Sequence, residues 1–297
     1  MARPALAASR AVDILNFLTS HPSDVFTLSE LVSRLGINVA SAHAILRVLE
    51  HAGFVTRHPR HKTYGLGPSV VALGHAALER HRVIDVAREE MRRLGAELDL
   101  EVLATVRAGA EALAVARAGR FAGAGASLQV GQRVPLVPPF GPVFLAWEDE
   151  REVAAWLASA GSDVPAEALE RQHHALSAMR ERGYSVGLEM EVREQLGEVI
   201  AGLADEPRDG RLRGSVETLI GELGHEGYHL DGFELGRKHK VSVIAAPVFD
   251  AQGGVALALS LIGFRAELTT GEVERYGRRL LEACRGINRA TWGRSGD

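Results

Sequence analysis

The sequence predicts an α+β protein: an N-terminal winged helix-turn-helix, a linker helix, and a larger C-terminal domain in which helices flank a central antiparallel sheet. Three observations predict it. Residues 27–66 place two short helical patterns on either side of a glycine, then two strand-like runs around a basic tip. Residues 241–249 and 255–262 are β-branched, apolar runs flanking Asp250-Ala-Gln-Gly-Gly254, a hairpin signal. Finally, 297 residues with 46% hydrophobic and 24% charged content suffice for two ordinary soluble domains.

The elements follow in order. Residues 10–20 form a first helix packed through Val12, Ile14, Leu15 and Leu18. Thr27 and Glu30 have the spacing of a capping box, and Leu28, Leu31, Val32 and Leu35 continue at helical spacing. Gly36 ends this helix, because glycine takes the left-handed conformation without a steric cost. Asn38 caps a second helix over 39–51, whose inward stripe is Ala42, Ile45, Leu46 and Leu49. Residues 54–57 and 63–66 are strand-like, with 58–62 as the tip between them. Residues 68–82 read as a linker helix whose apolar positions Val71, Leu73, Ala77 and Leu78 pack on their own domain or on a second subunit. A helix over 83–99 leads to strands 102–106 and 112–116, joined near Gly109. Residues 149–224 are mostly helical in pattern, with a loop at 205–210, and Thr269 to Glu272 opens a C-terminal helix running to about Trp292.

The N-terminal pattern suits DNA. A helix with a small, polar outer face enters the major groove. Here Ala40, Ser41, His43 and Arg47 lie opposite the apolar stripe, and Ser41, His43 and Arg47 are expected to face base edges. Thr27, Ser29 and Asn38 sit at or near helix N-termini, where hydroxyls and backbone N–H groups meet phosphates. Arg57, Arg60 and Lys62 on the wing supply phosphate-neutralising charge. Residues 1–67 hold seven Lys/Arg against four Asp/Glu, whereas the remainder holds 27 against 34, so the positive charge falls where a DNA-binding surface needs it. The net charge of −4 argues against indiscriminate nucleic-acid binding by the whole chain.

No apolar run is long enough to span a membrane, and MARPALAASR lacks a signal-peptide core. A single cysteine, Cys284, excludes an intrachain disulfide and is expected to be packed rather than reactive. The expectation is a cytoplasmic protein. One catalytic motif competes: His225-Glu226-Gly-Tyr-His229 matches the two-histidine zinc pattern, with Glu226 as the base. The position of a third ligand holds Leu235, no methionine follows Met190, and Gly224 and Gly227 weaken the helix that must align both histidines. A zinc-dependent hydrolase is therefore the alternative reading, and no metal, cofactor or catalytic residue is expected. His51, His58 and His61 lie in the wing region, where phosphate contact or exposure is expected rather than metal binding.

Together, several segments resemble the IclR family of bacterial regulators. They are Arg10-Ala11, Leu46-x-x-Leu49-Glu50, Gly53-Phe54-Val55, Tyr64-x-Leu66-Gly67, Pro135-Leu136, Gly141, and Ile244-Ala-Ala-Pro-Val-Phe-Asp250 followed by Ala258-Leu259-Ser260. The resemblance covers nearly the whole chain. It implies a DNA-binding domain (1–67), a linker helix (68–82) and a GAF-like domain (83–297) that binds a small-molecule effector. It also implies a homodimer or dimer of dimers on a palindromic double-stranded operator, and a transcriptional regulator rather than an enzyme. Carried over by position, the effector residues are Phe140, Gly141, Asp231, Val243, Ser260 and Ile262.

The chain departs from the family pattern in telling places. Ala44 stands where an arginine often follows the position of His43. Gly141-Pro142-Val143 replaces a Gly-Lys-Ala, Val243 replaces a cysteine, and the loop 137–140 is shorter and more apolar. Residues 185–226 are longer than the common pattern. Alternation puts Val241, Val243 and Ala245 on one strand face, with Ser260 and Ile262 sharing a face next door. A pocket without the lysine is drier, so the expected effector is a larger, less polar metabolite: aromatic, terpenoid or acyl.

Overall fold

A computed structural model describes residues 5–121, 128–159, 166–225, 229–230 and 237–293. The chain divides into two compact units, one formed by Met1–His81 with Ala201–Arg213 and the other by Arg82–Ile200 with Gly214–Asp297.

The first unit contains α1 (Leu6–Ser20), β1 (Phe26–Thr27), α2 (Leu28–Leu35), α3 (Val39–His51), β2 (Val55–Arg57), β3 (Thr63–Leu66) and α4 (Pro68–Arg80). The three strands form an antiparallel sheet in the order β1-β3-β2. Ile14, Phe17 and Leu18 of α1 meet Leu31 and Leu35 of α2 and Leu46 of α3 in one apolar core. Helix α1 starts earlier than the apolar stripe alone suggests. The Thr27–Glu30 capping box forms in full, and Gly36 ends α2 at φ 58°. Pro68 opens α4, where its missing N–H costs nothing. No residue of α4 is fully buried: Val71 is 75% and Leu73 59% exposed, while Leu78 is half-buried.

The second unit contains α5 (Arg82–Leu98), β4 (Glu101–Ala108), β5 (Glu111–Gly119), β6 (Arg133–Pro135), α6 (Pro142–Leu145), α7 (Glu150–Ala158), α8 (Ala166–Arg182), β7 (Ser185–Leu188), α9 (Glu191–Asp205), α10 (Gly210–His225), β8 (Lys238–His239), β9 (Val241–Phe249), β10 (Val255–Ile262), β11 (Leu268–Thr269) and α11 (Thr270–Trp292). Residues 201–213, at the adjoining ends of α9 and α10, belong to the first unit. Six strands form an antiparallel sheet in the order β6-β5-β4-β10-β9-β7. One face is covered by α5 and α11. There Met91, Leu94, Leu280 and Cys284 pack on Val102, Ala104, Ile244, Ala246, Leu259 and Leu261. Alternation turns the intervening residues to the opposite face.

Two expectations need correction here. Residues 185–188 are a strand, not part of a helical run; four residues carry too little periodicity to read, and pairing with β9 decides the matter. Val241 does not share a face with Val243. The register slips between Gly187 and Leu188, so Val241 joins the helix-side core while Val243 packs with Leu103, Ala114 and Ile262. A bulge of this kind shifts side chains past it to the other face.

Candidate nucleic-acid interface and effector face

The first unit presents α3 as the reading element. Asn38 caps it, its side chain accepting from the Ser41 N–H at 2.8 Å. Leu46 and Ala42 anchor its inner face in the core, leaving Ala40, His43, Ala44 and Arg47 exposed on the outer face. Ser41 is half-buried, and its hydroxyl already accepts from Arg10 Nη1 at 3.0 Å. Thr27 is also engaged, donating to Glu30 Oε2 and accepting from the Glu30 N–H, whereas Ser29 is exposed. Among the sequence-predicted base-facing residues, His43 and Arg47 are thus the ones left open to solvent.

The wing is built by β2 and β3 and a compact tip. The His58 Nδ1 accepts from the N–H groups of Arg60 at 3.3 Å and His61 at 3.1 Å, and the two histidine rings stack 4.6 Å apart. Lys62 takes the left-handed conformation at φ 54°. Arg57 lies over the Tyr64 ring, 5.7 Å from its centroid. Arg60 and Lys62 are exposed, and neither forms an ion pair among the described residues. These cations project from a tip whose own backbone is tied together.

In the second unit, the sheet face opposite α5 and α11 carries Val243, Ser260 and Ile262 of the residues predicted from sequence. Register aligns them in rows. Ile262 pairs with Val243 on one side and Glu101 on the other. The next row runs Arg117, Leu103, Ser260, Ala245, Ser185 across five strands. Leu103, Ala114, Ile262 and Val243 form an apolar cluster there. Phe140 and Gly141 lie on the loop before α6. The Phe140 carbonyl accepts from Trp156 Nε1 at 3.1 Å, and Val143 and Leu136 pack on Ala112 and Ala258 of the sheet. Gly141 has φ 82°, and a Cβ there would fall 2.3 Å from Leu136 Cδ2, so glycine is required on both grounds. Asp231 lies outside the described residues.

Sequence reasoning missed one pair on this face. Glu101 is fully buried and bonds Arg117 Nε at 2.7 Å. The available signal was an arginine within the alanine-rich run 112–118, a position that alternation turns inward. Among the described residues Glu101 is the one buried carboxylate of either unit.

The two histidines of the zinc motif do not lie on one helix. Helix α10 ends at His225, and His229 forms an extended bridge to Gly187, so the two histidines do not share a helix face. His229 Nε2 donates to the Pro139 carbonyl at 2.6 Å, and burial pulls its pKa down to about 4, leaving a neutral ring that pins the 137–140 loop. No cluster of three or more ligand-type residues occurs among the described residues. Cys284 is buried, and burial pushes its thiol well above the ordinary range, which suits packing rather than reactivity.

Residues 7–59 match the model of the IclR helix-turn-helix domain, and residues 75–199 that of the bacterial transcriptional regulator IclR C-terminal domain. XynR, an HTH-type transcriptional regulator of Escherichia coli (strain K12), is 26% identical over 289 residues, 96% of either chain. KipR of Bacillus subtilis (strain 168) is 24% identical over 280 residues, 94% of either chain. The fold is shared with an IclR transcriptional regulator from Alicyclobacillus acidocaldarius, at TM-score 0.64 and 23% identity over 96% of this chain and 98% of that one. It is shared too with an IclR homologue from Microbacterium hydrocarbonoxydans crystallised with 4-hydroxybenzoate, at TM-score 0.63 and 18% identity over 96% of this chain and 100% of that one. No helix of the described residues is long and apolar enough to cross a membrane. With both of its domain models matched over more than half the chain, the protein belongs to the IclR family of DNA-binding bacterial transcriptional regulators, which are not enzymes.

Proposed function

We propose that this regulator acts in the cytoplasm as a homodimer or dimer of dimers, reading a palindromic operator whose affinity a small apolar molecule sets. The observation that carries the DNA part is α3, with its outer face open at His43 and Arg47 in the same unit as a wing whose Arg60 and Lys62 form no ion pair among the described residues. In this reading Arg47 and His43 meet base edges, Ala40 lines the same outer face, and Ser41 helps through its bond to Arg10. Thr27, Ser29, Asn38, Arg57, Arg60 and Lys62 hold the backbone, as P–O contacts position and base contacts specify. The exposed Val71 and Leu73 of α4 support a helix-to-helix contact between two subunits.

The effector in this reading lies over the row of Leu103, Ser260 and Ile262, under the loop of Phe140 and Gly141, with Val243 at its margin; Asp231 joins the set by the sequence resemblance alone. The apolar lining supports a ligand with an aromatic or aliphatic body, each buried methylene contributing about 0.8 kcal/mol. The homologue bound to 4-hydroxybenzoate supports the aromatic class.

The test is a fluorescence-anisotropy titration with DNA flanking the protein's own gene, random DNA as competitor, and Arg47→Ala alongside the wild type. Arg47→Ala should cost about 1–3 kcal/mol on the operator and far less on random DNA. Equal losses on both would assign Arg47 to phosphate. Saturable shifts in operator affinity with aromatic acids or acyl compounds support the effector reading, and a response confined to small polar acids refutes it.

A further inference from the structure

Residues 201–213 lie beyond residue 199, where the match to the family's C-terminal model ends. In sequence they sit between two segments of the second unit, yet they belong to the first. The turn between α9 and α10 is short: Asp209 accepts from the Arg211 N–H at 2.8 Å, and the Glu206 N–H reaches the Gly202 carbonyl at 2.9 Å. This tip is a short, hydrogen-bonded turn at the place where the sequence suggested a loop.

The corner grips the helix-turn-helix through charge. Asp205 Oδ1 lies 2.9 Å from His21 Nε2, and the Asp205 carbonyl accepts from Arg34 Nη1 at 3.0 Å. Arg208 Nη2 donates to Asp13 Oδ2 at 3.1 Å. The alkyl stem of Arg208 runs past Gly36, whose Cβ position would be 3.6 Å from Arg208 Cγ. Asp13 and His21 belong to α1 or its end, Arg34 to α2, and Gly36 to the turn that launches α3. Arg34 is further held over the Phe26 ring, 5.5 Å from its centroid, so Asp205 meets a cation already in place.

We propose that residues 201–213 are a strap that opposes DNA binding, tying the recognition unit to the effector-bearing part of the chain until the operator or the effector state releases it. A dimer must bring two recognition helices to half-sites about one turn of DNA apart, ~34 Å, which demands adjustment of each DNA-binding unit. A strap bonded to α1, α2 and the turn before α3 resists that adjustment. Its bonds are mostly exposed, with Asp205 62% and Arg208 52% open, and such pairs are individually weak. The strap is therefore releasable. It also engages the Arg34 guanidinium, holding that positive charge against the strap.

Two variants of the full chain test it. In Asp205→Asn/Arg208→Gln the strap is loosened, and binding to the gene-flanking DNA should tighten by about three- to tenfold, the combined worth of two or three exposed pairs. In Asp13→Cys/Arg208→Cys a short bismaleimide should lock it, since the native Cys284 is buried. The locked protein should bind at least roughly tenfold more weakly than the same variant without the linker, which is the loosened case reversed. Hydrogen exchange of residues 28–37 supplies a readout independent of DNA, and should quicken in the loosened variant. Equal DNA affinity with and without the linker overturns the proposal, as does tighter binding when locked. Unchanged exchange in the loosened variant overturns it as well.

Discussion

Neutralising the wing tip, in Arg60→Gln/Lys62→Gln, tests the reading of the first unit most directly. Both side chains are exposed and form no ion pair among the described residues, so their charges are free to replace counterions on DNA. Each phosphate neutralised adds about 0.9 to the slope of log K against log salt. Two cations per wing therefore contribute about 1.8, and the two wings of a dimer about 3.6. Between 50 and 200 mM salt, a fourfold change, this predicts that the variant loses roughly 12-fold less affinity than the wild type per wing, and on the order of 150-fold less per dimer. Arg57 is left intact because its guanidinium stacks on Tyr64 and supports the hairpin itself. The assay is anisotropy at four or five salt concentrations, on operator and on random DNA. The ratio of the two affinities should barely move, because phosphate contacts carry no sequence information. An unchanged salt slope, or a collapse of discrimination with slope intact, refutes the assignment of the tip to phosphates.

Three further outcomes concern stability. Gly277→Ala would place a Cβ 2.3 Å from the Tyr184 ring, between α11 and the sheet, and should cost about 1–3 kcal/mol in urea unfolding, whereas Gly271→Ala, with open space around it, should not. Arg117→Met takes the 2.7 Å arginine partner from the buried Glu101 and should cost up to about 3–5 kcal/mol, while Glu101→Leu/Arg117→Met should regain most of it; equal costs for single and double variants would show that the pair is not coupled. His229 has a folded pKa of about 4, below the ordinary 6.5, so the unfolded chain binds the extra proton first. Its contribution is complete above pH 6.5, falls as the pH drops toward 4, and stays flat below, on the order of 3 kcal/mol in total. Unfolding of His229→Gln should lack that component across this window, and parallel pH profiles of variant and wild type would remove the assignment.

The N-terminal unit was legible almost residue by residue. Capping boxes, a left-handed glycine and an apolar stripe at helical spacing are local signals, set within one turn of chain, and Thr27, Gly36 and Asn38 act where those signals put them. The hairpin of β9 and β10 was equally plain, since two long β-branched runs leave little alternative. Harder to see was whatever depends on a partner distant in sequence. Strand β7 exists because β9 offers an edge, and Val241 changes face because of a bulge in that pairing. The hydroxyl of Ser41, open to bases by helical phase, is taken by Arg10 across 31 residues of chain.

Sequence alone therefore determined the helices of the N-terminal unit, the β9–β10 hairpin, the wing charges and the family, because each rests on short-range patterning or on a motif. Tertiary structure alone decided three things: that Glu101 and Arg117 meet on the sheet face opposite α5 and α11, that His229 lies in a bridge to Gly187 and not on the helix that ends at His225, and that Asp205 and Arg208 reach back to α1 and α2. Each is a pairing of side chains whose partners are chosen by sheet register or by helix packing, and neither can be read from the spacing of residues along the chain.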